Sequence, residues 1–470
     1  MAEQFDLVVI GAGPGGYVAA IRASQLGMKV AVVERRATLG GVCLNEGCIP
    51  SKALLDSSEH FAMARDKFSN HGIEIDPPRL NLAVMLARKE DVVKRLTDGI
   101  AYLFKKNRIT VLPGNGQLQG SDGAGLHLVA VEAPTGGTVV TAARILLATG
   151  SEPLPLSGIP FDGDFVVSAR EALAFSKVPE HLVVAGGGYI GLELGSVWRR
   201  LGAKVTVLEM LPNLLPTMDR QAADTLQRAL KKQGIEFRLG TRVTALKRTA
   251  DAGLVEFCAG EESGSLECDR MLVSIGRRPL VSGVGFVELG GRVLENGRVD
   301  VDENYETSIP GIYAIGDIIP GPMLAHKASE EAVVCVERIV GKAVSVNYQC
   351  LPGVVYTWPE GASVGKTEEQ LKQENVSYKS GKFNFIGNGR ARAMDETDGF
   401  VKILADADTD RILGVHIVGP RASDMIAEAV TAMGFNGTAR ELGAQFHAHP
   451  TLSEVMKEAA LDLHKEAVHG

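Results

Sequence analysis

The chain is short of several things that would point its function elsewhere. Its 470 residues hold six cysteines, none of them in CxxC spacing. Cys258, Cys268, Cys335 and Cys350 are scattered, and His60 is the histidine nearest the Cys43 and Cys48 pair. Nothing near that pair completes a four-ligand zinc set, so no metal is expected. There is no long lysine or arginine cluster and the net charge is −8, which sets nucleic acid aside as a partner. No uninterrupted apolar segment approaches the roughly 18 to 20 residues of a membrane span. Residues 1–5 run straight into apolar residues 7–10 without a charged segment, an apolar stretch and a cleavage site in succession, so no export address is visible. These absences predict a cytoplasmic protein with no membrane partner, although a mature organelle-matrix chain would read the same way.

Glycine, by contrast, is plentiful at 54 residues, and 45% of the chain is hydrophobic. The length suggests about three or four globular domains. Residues 7–10 read as a buried strand, followed at once by Gly11-Ala12-Gly13-Pro14-Gly15-Gly16, an alanine-rich helical run over 17–26, Gly27, and a second strand over 29–33 ending in Glu34. This is a dinucleotide fingerprint in strand-turn-helix-strand context. Gly11 makes the tight turn, Gly13 lets the backbone approach a pyrophosphate, Gly16 permits close helix packing, and Glu34 sits where a carboxylate meets a ribose. The helix start offers N–H groups and partial positive charge to the anion.

The unit recurs. Gly11, Gly13, Gly16, Gly27 and Glu34 map forward by 175 residues onto Gly186, Gly188, Gly191, Gly202 and Glu209. Two such sites suit an electron relay better than a single-cofactor dehydrogenase. Glu209 accepts a 2′-hydroxyl but repels a 2′-phosphate, and no arginine follows it until Arg220, so the second site reads as NAD-specific.

Between the units lie Cys43 and Cys48, in Cys43-Leu44-Asn45-Glu46-Gly47-Cys48-Ile49-Pro50-Ser51-Lys52. A regular helix would hold their Cα atoms roughly 7.5 Å apart or more, beyond the approximately 7 Å limit for a disulfide. A bridge would need a bend, for which Asn45 and Gly47 are suited. Reversible thiol and disulfide chemistry leads, with a structural bridge, half a zinc site and two ordinary buried cysteines as alternatives. Further on, residues 91–107 read as a helix and 109–118 and 126–140 as strands. The chain leaves the first domain at Thr149-Gly150, with a second exit at Gly276. A strand over 312–315 ends in Gly316-Asp317, where the aspartate suits sugar hydroxyls or, equally, a turn or helix cap. From about Tyr348 strands alternate with two helical runs, and no third fingerprint occurs. The expected boundaries are 1–150, 151–275, 276–347 and 348–470.

These motifs, together with Ala148-Thr149-Gly150, Ala314-Ile315-Gly316-Asp317 and His447-Ala448-His449-Pro450-Thr451, resemble end to end the FAD-containing pyridine nucleotide-disulfide oxidoreductases. The similarity is greatest to members that oxidise protein-bound dihydrolipoamide with NAD+. The resemblance implies an α/β fold with two Rossmann-like dinucleotide-binding domains and a C-terminal α+β dimerisation domain. FAD would occupy the first site, contacted also by Gly116, Thr149, Gly150, Asp317 and the run Met323, Leu324, Ala325 and His326. NAD would occupy the second, with Tyr189, Ile190 and Gly276 beside its glycines. Cys48 would be the sulfur near the flavin and Cys43 the outer sulfur that meets substrate. Lys52 would lie by the flavin ring, paired with Glu193, and Tyr189 would cover the flavin face.

His449 would be the base that makes the substrate thiolate, preferred to His447 by its place before Pro-Thr, and Glu454 would orient it. Thr451-Leu452-Ser453-Glu454 also reads as a helix capping box. The implied partners are a second copy of the chain, whose dithiol His449 would reach, and lipoyl domains, a lipoyl-bearing acyltransferase or the glycine cleavage H protein. The rival enzyme is another NAD(P)H-dependent flavin disulfide reductase. A glutathione reductase-like activity is disfavoured by Glu209, and a mercuric reductase-like one by a C-terminus with no cysteine pair. A purely structural flavoprotein subunit is disfavoured by Cys43, Cys48 and His449 together.

Overall fold

A computed structural model describes residues 2–134, 136–249 and 252–469. They form two compact units. The first joins the chain up to Ala53 with Val84–Leu154 and Gly276–Val346; the second joins Leu54–Ala83, Pro155–Ile275 and the chain from Asn347 onward.

In the first unit the strands run in the order Thr110–Pro113, Val30–Glu34, Glu3–Ile10, Gly136–Leu147, His127–Ala133, Asn115–Ser121, and Ile312–Ala314 also pairs with Gly136–Leu147. Ile312–Ala314 and the first four of these strands are parallel to their neighbours, whereas the last two pair antiparallel. Every residue of Val30–Glu34 is buried, as expected of a parallel strand covered on both faces, so it reads as an apolar run and not as an alternation. Register matters most for function. Ile10 lies opposite Val33 and Leu147, and Leu147 opposite Ala314. The glycine turn, Glu34, Thr149 and Asp317 therefore all leave the sheet at its carboxyl edge, where open α/β sheets bind ligands.

The second unit repeats the plan with five parallel strands in the order Ile235–Arg238, Lys204–Leu208, His181–Ala185, Arg270–Val273, Val166–Val167. Beside it is an antiparallel meander of Thr241–Arg248, Gly253–Ala259 and Glu262–Cys268. The same unit holds an antiparallel sheet in the order Gly353–Val355, Glu360–Gly365, Ile412–Gly419, Phe400–Asp406, Tyr378–Asn384, with helices Ala422–Gly434, Ala439–Ala444 and Glu454–Asp462.

Two expected elements are redrawn. The strand read over 109–118 breaks at Gly114, whose φ is +144° and whose Cβ, if present, would lie 2.4 Å from the Glu132 carbonyl oxygen. The helix read over 91–107 begins earlier, at Leu82–Lys106, because the preceding residues contain neither glycine nor proline to stop it. Among the described residues no helix is long and apolar enough to cross a membrane. No group of three or more His, Cys, Asp or Glu side chains among them could hold a metal ion.

Candidate active site

The two fingerprint turns are built alike, atom by atom. Gly11 and Gly186 have φ of +104° and +109°. A Cβ on Gly16 would lie 1.8 Å from the Gly11 carbonyl oxygen, and one on Gly191 would lie 2.3 Å from that of Gly186. Gly13 and Gly188 are the N-caps of helices Pro14–Gln25 and Tyr189–Arg200, and neither helix has a side-chain cap. The first-turn N–H groups are thus left for an anion, which is what a dinucleotide pyrophosphate requires. Glu34 accepts the Ala12 N–H at 2.8 Å and the Arg36 N–H at 2.9 Å; Glu209 accepts the Gly187 N–H at 2.6 Å and the Leu211 N–H at 2.7 Å. Both carboxylates are fixed at the strand end with lone pairs to spare for ribose hydroxyls. Near Glu209, the Arg220 guanidinium is engaged by Asp224 and that of Arg238 stacks on Phe257 at 5.0 Å. The residues of both turns fit dinucleotides.

The cysteines straddle a helix break. Gly41–Glu46 forms one short helix and Cys48–Asp66 the next, with Gly47 between them at φ −139° and ψ −111°. A Cβ on Gly47 would come within 3.1 Å of the Val42 carbonyl oxygen, so glycine serves close approach here and not a left-handed turn. Asn45, expected at the bend, instead lies inside the first helix and donates to the Leu39 and Gly41 carbonyls. Left-handed backbone occurs at Gly40 and Gly41, with φ of +98° and +59°. A Cβ on Gly41 would lie 2.5 Å from Gly13 Cα, so the dithiol segment and the phosphate turn touch backbone to backbone. The Gly40-Gly41 doublet was the sequence signal for this contact.

Cys43 and Cys48 are free cysteines, each partly buried. The Cys43 thiol is pushed far above its ordinary pKa, first by its hydrogen bond to Cys48, then by burial and by the Cys48 charge, with Lys52 acting in the opposite sense. The Cys43 thiol therefore resists ionisation beside Cys48. Burial, and then the nearby Cys43 and Cys48, raise the Tyr17 hydroxyl above its ordinary value.

Asp317 is placed by residues that sequence reading did not single out. Ser151 Oγ donates to Asp317 Oδ2, and Arg277 donates to Ser151 Oγ at 2.8 Å and to the Ser151 carbonyl at 2.6 Å. Burial lowers the Arg277 pKa, against the opposing charges of Asp317 and Cys48. Thr149 donates to the Leu280 carbonyl, Leu280 N–H reaches the Gly150 carbonyl at 2.9 Å, and Leu154 N–H reaches that of Gly276 at 3.1 Å. The two exit segments are in this way sewn together. Gly116 lies where a Cβ would meet Val33 and Ile10 side chains at 3.1 and 3.2 Å, a packing position against the strand that ends in Glu34. Met323 and Leu324 lead into the helix Ala325–Ile339, which opens with Ala325 and the exposed His326.

In the second unit Tyr189 and Ile190 begin the fingerprint helix, and the Tyr189 hydroxyl is 3.2 Å from Thr217 Oγ1. Glu193, buried one turn on, accepts the Tyr356 N–H at 3.1 Å. His449 Nδ1 is 2.9 Å from Glu454 Oε1, and Glu454 Oε2 accepts the Thr451 N–H at 2.8 Å. One carboxylate thus meets both His449 and the Thr451 N–H, one oxygen to each, while the helix that follows starts at Glu454 with Ser453, not Thr451, as its N-cap. Burial alone would raise Glu454, but the Thr451 N–H and His449 outweigh it and hold the carboxyl below its ordinary value. The other half of a capping box is absent: Thr451 Oγ1 turns away to the Ala448 carbonyl at 2.7 Å. The His449 side chain is 80% exposed, whereas His447 is buried against Glu428 at 2.7 Å.

Residues 5–332 match the pyridine nucleotide-disulphide oxidoreductase family, and residues 351–460 match that family's dimerisation domain. Over 471 residues the chain is 49% identical to dihydrolipoyl dehydrogenase 1, mitochondrial, of Arabidopsis thaliana, covering 100% of this chain and 92% of the relative. Dihydrolipoyl dehydrogenase 3 of Pseudomonas putida is 50% identical, with 98% of each covered. Among solved structures, LpdA from Mycobacterium tuberculosis superposes with a TM-score of 0.90 at 27% identity, over 97% of this chain and 99% of that one. With its paired nucleotide turns, its dithiol and these matches along nearly its whole length, the chain belongs to the pyridine nucleotide-disulphide oxidoreductase family.

Proposed function

We propose that the protein catalyses the NAD+-dependent oxidation of protein-bound dihydrolipoyl groups to lipoyl groups, using FAD and the Cys43–Cys48 pair. The observation that carries this reading is a hydrogen-bonded dithiol joined, through Gly41 and Gly13, to a dinucleotide turn. When bound, FAD carries the electron pair away from the sulfurs and NAD+ accepts it as hydride.

The chain's own residues do the thiol chemistry. His449 Nε2 takes the proton of one dihydrolipoyl thiol, while Glu454 holds Nδ1 and stabilises the imidazolium. The thiolate attacks Cys43 Sγ, the Cys43–Cys48 bond breaks, and Cys48 leaves as a thiolate. The second lipoyl thiol then attacks the lipoyl sulfur bound to Cys43 and closes the lipoyl disulfide; the bond to Cys43 breaks, Cys43 takes the proton held by His449, and His449 takes the proton of the second thiol. The product is a protonated Cys43 beside a Cys48 thiolate, the charge state that the Cys43 hydrogen bond favours. Lys52 and Arg277 supply positive charge toward that thiolate, with Glu193 as the proposed partner of Lys52 and Tyr189 as the proposed cover of the flavin face.

We assign residues 1–150 to FAD, 151–275 to NAD, 276–347 to a central domain returning to FAD, and 348–470 to the interface of a homodimer. Within that dimer His449 serves the dithiol of the other subunit, and its high exposure in a single subunit supports this. Lipoyl domains, a lipoyl-bearing acyltransferase or the H protein are the physiological substrates, in the cytoplasm or a mitochondrial matrix. The isolated protein is expected to reduce lipoamide with NADH and to leave glutathione disulfide with NADPH unreacted; the opposite preference would select another disulfide reductase. Mixing Cys43→Ser and His449→Gln subunits is expected to restore activity in the mixed dimers, and no recovery would place the base and the dithiol in one subunit.

A further inference from the structure

The turn that carries Asp317 is gripped from beneath by two buried charges. Gly316–Ile318 forms a single 3-10 turn, and Gly316 is buried with φ +79°. Its N–H donates to Glu331 Oε2 at 2.8 Å, and its carbonyl accepts from Lys327 Nζ at 3.1 Å. Lys327 and Glu331 stand one turn apart on the helix Ala325–Ile339 and pair with each other at 2.8 Å, with side chains 1% and 0% exposed.

Stability does not explain such a pair. Removing two charges from water is costly, and apolar residues of similar volume often do as well or better in their place. What apolar residues cannot do is satisfy both polar groups of a buried peptide, and a buried N–H or carbonyl without a partner is strongly disfavoured. The grip is also tight: a Cβ on Gly316 would lie 3.2 Å from Ala328 Cβ, and one on Gly321 would lie 2.7 Å from Lys327 Cε. Ser151 and Arg277 hold the aspartate's side chain, while Lys327 and Glu331 hold the peptide before it.

We infer that Lys327 and Glu331 are positioning residues for FAD, fixing the Gly316 peptide so that the Asp317 carboxylate keeps the place from which it binds the cofactor. This rests on the reading of Asp317 as an FAD ligand.

The test strips FAD from the full chain, restores it by titration, and records both FAD affinity and the Tm of the flavin-free protein. Lys327→Met/Glu331→Leu removes both partners, and Lys327→Met/Glu331→Gln returns an acceptor for the Gly316 N–H alone. The leucine variant, which strands the Gly316 N–H and carbonyl, is expected to lose some flavin-free Tm and, at temperatures where it is fully folded, to bind FAD about tenfold or more weakly, with the glutamine variant recovering much of that affinity. Native affinity in the leucine variant, or a loss that follows a fallen Tm and is not recovered by glutamine, would overturn the inference. If the leucine variant fails to fold, the glutamine variant decides against native protein: weaker FAD binding at unchanged Tm supports the inference and native binding overturns it. Asp317→Ala separates the premise from the inference. If it leaves FAD affinity unchanged, the reading of Asp317 falls; if it weakens binding while the leucine variant does not, only the inference falls.

Discussion

Cys43 and Cys48 are the same residue type made unlike by their neighbours. The bond to Cys48 and burial push the Cys43 thiol up, whereas Cys48 lies within the field of the Arg277 guanidinium. The asymmetry suits one sulfur to exchange with substrate and the other to hold charge. His449 is similarly defined by its partner, because the Glu454 carboxylate bound to Nδ1 leaves Nε2 as the nitrogen able to take a proton. Glu454→Gln keeps a hydrogen-bond partner but removes the charge that stabilises the imidazolium. The kcat for dihydrolipoamide oxidation is expected to fall about 10²-fold, with FAD content unchanged; steady-state kinetics and flavin absorbance check both. Spacing in the sequence located these residues, and it also suggested a bend at Asn45 and Gly47, of which the structure uses Gly47 and leaves Asn45 inside the helix. Arg277 and Ser151 were not singled out, since their importance arises only where chain segments far apart in sequence meet at Asp317.

At the scale of elements, the strand-turn-helix unit was the most legible part of the chain. All its determinants are local: an apolar strand, glycines at fixed offsets and a terminal carboxylate. The structure extends the 175-residue repeat from residues to hydrogen bonds, since Ala12 and Gly187, and Arg36 and Leu211, give their N–H groups to the matching carboxylates. The repeat allows the two sites to be broken separately. Gly16→Ala drives a methyl into the Gly11 carbonyl at 1.8 Å, and Gly191→Ala drives one into the Gly186 carbonyl at 2.3 Å. The first variant is expected to lose FAD. The second is expected to keep its yellow colour while its KM for NAD+ rises about tenfold or more. Flavin retention in the first, or loss of flavin in the second, would show that the sites are not divided in this way.

Across the whole molecule, long-range pairs are what sequence pattern conceals. Lys402 lies 2% exposed between Asp219 at 2.9 Å and Glu368 at 2.5 Å. It joins the cap of helix Arg220–Lys232 to the C-terminal antiparallel sheet within the second unit, with the fully buried His416 close by. Burial would raise Glu368, but hydrogen bonds from Lys372, Lys402 and Tyr378 outweigh it and bring the carboxyl down to about 2. A depressed carboxyl gives stability that is present above its unfolded pKa, near 4.3, and is lost as pH falls toward the folded value. Lys402→Met leaves the buried Asp219 without its cation and takes one of two from Glu368, and denaturant unfolding is expected to show about 3 to 5 kcal/mol lost at neutral pH. The variant's stability should also fall less steeply than the native protein's between about pH 5 and pH 2.

All of these assignments depend on the sulfur pair being in redox contact with NAD. The direct measurement is an anaerobic count of alkylatable thiols, mapped by peptide mass, before and after NADH is added to the oxidised holoenzyme. Two new thiols, at Cys43 and Cys48 and nowhere else, are expected; no gain, or labels on Cys258 or Cys350 instead, would contradict the account.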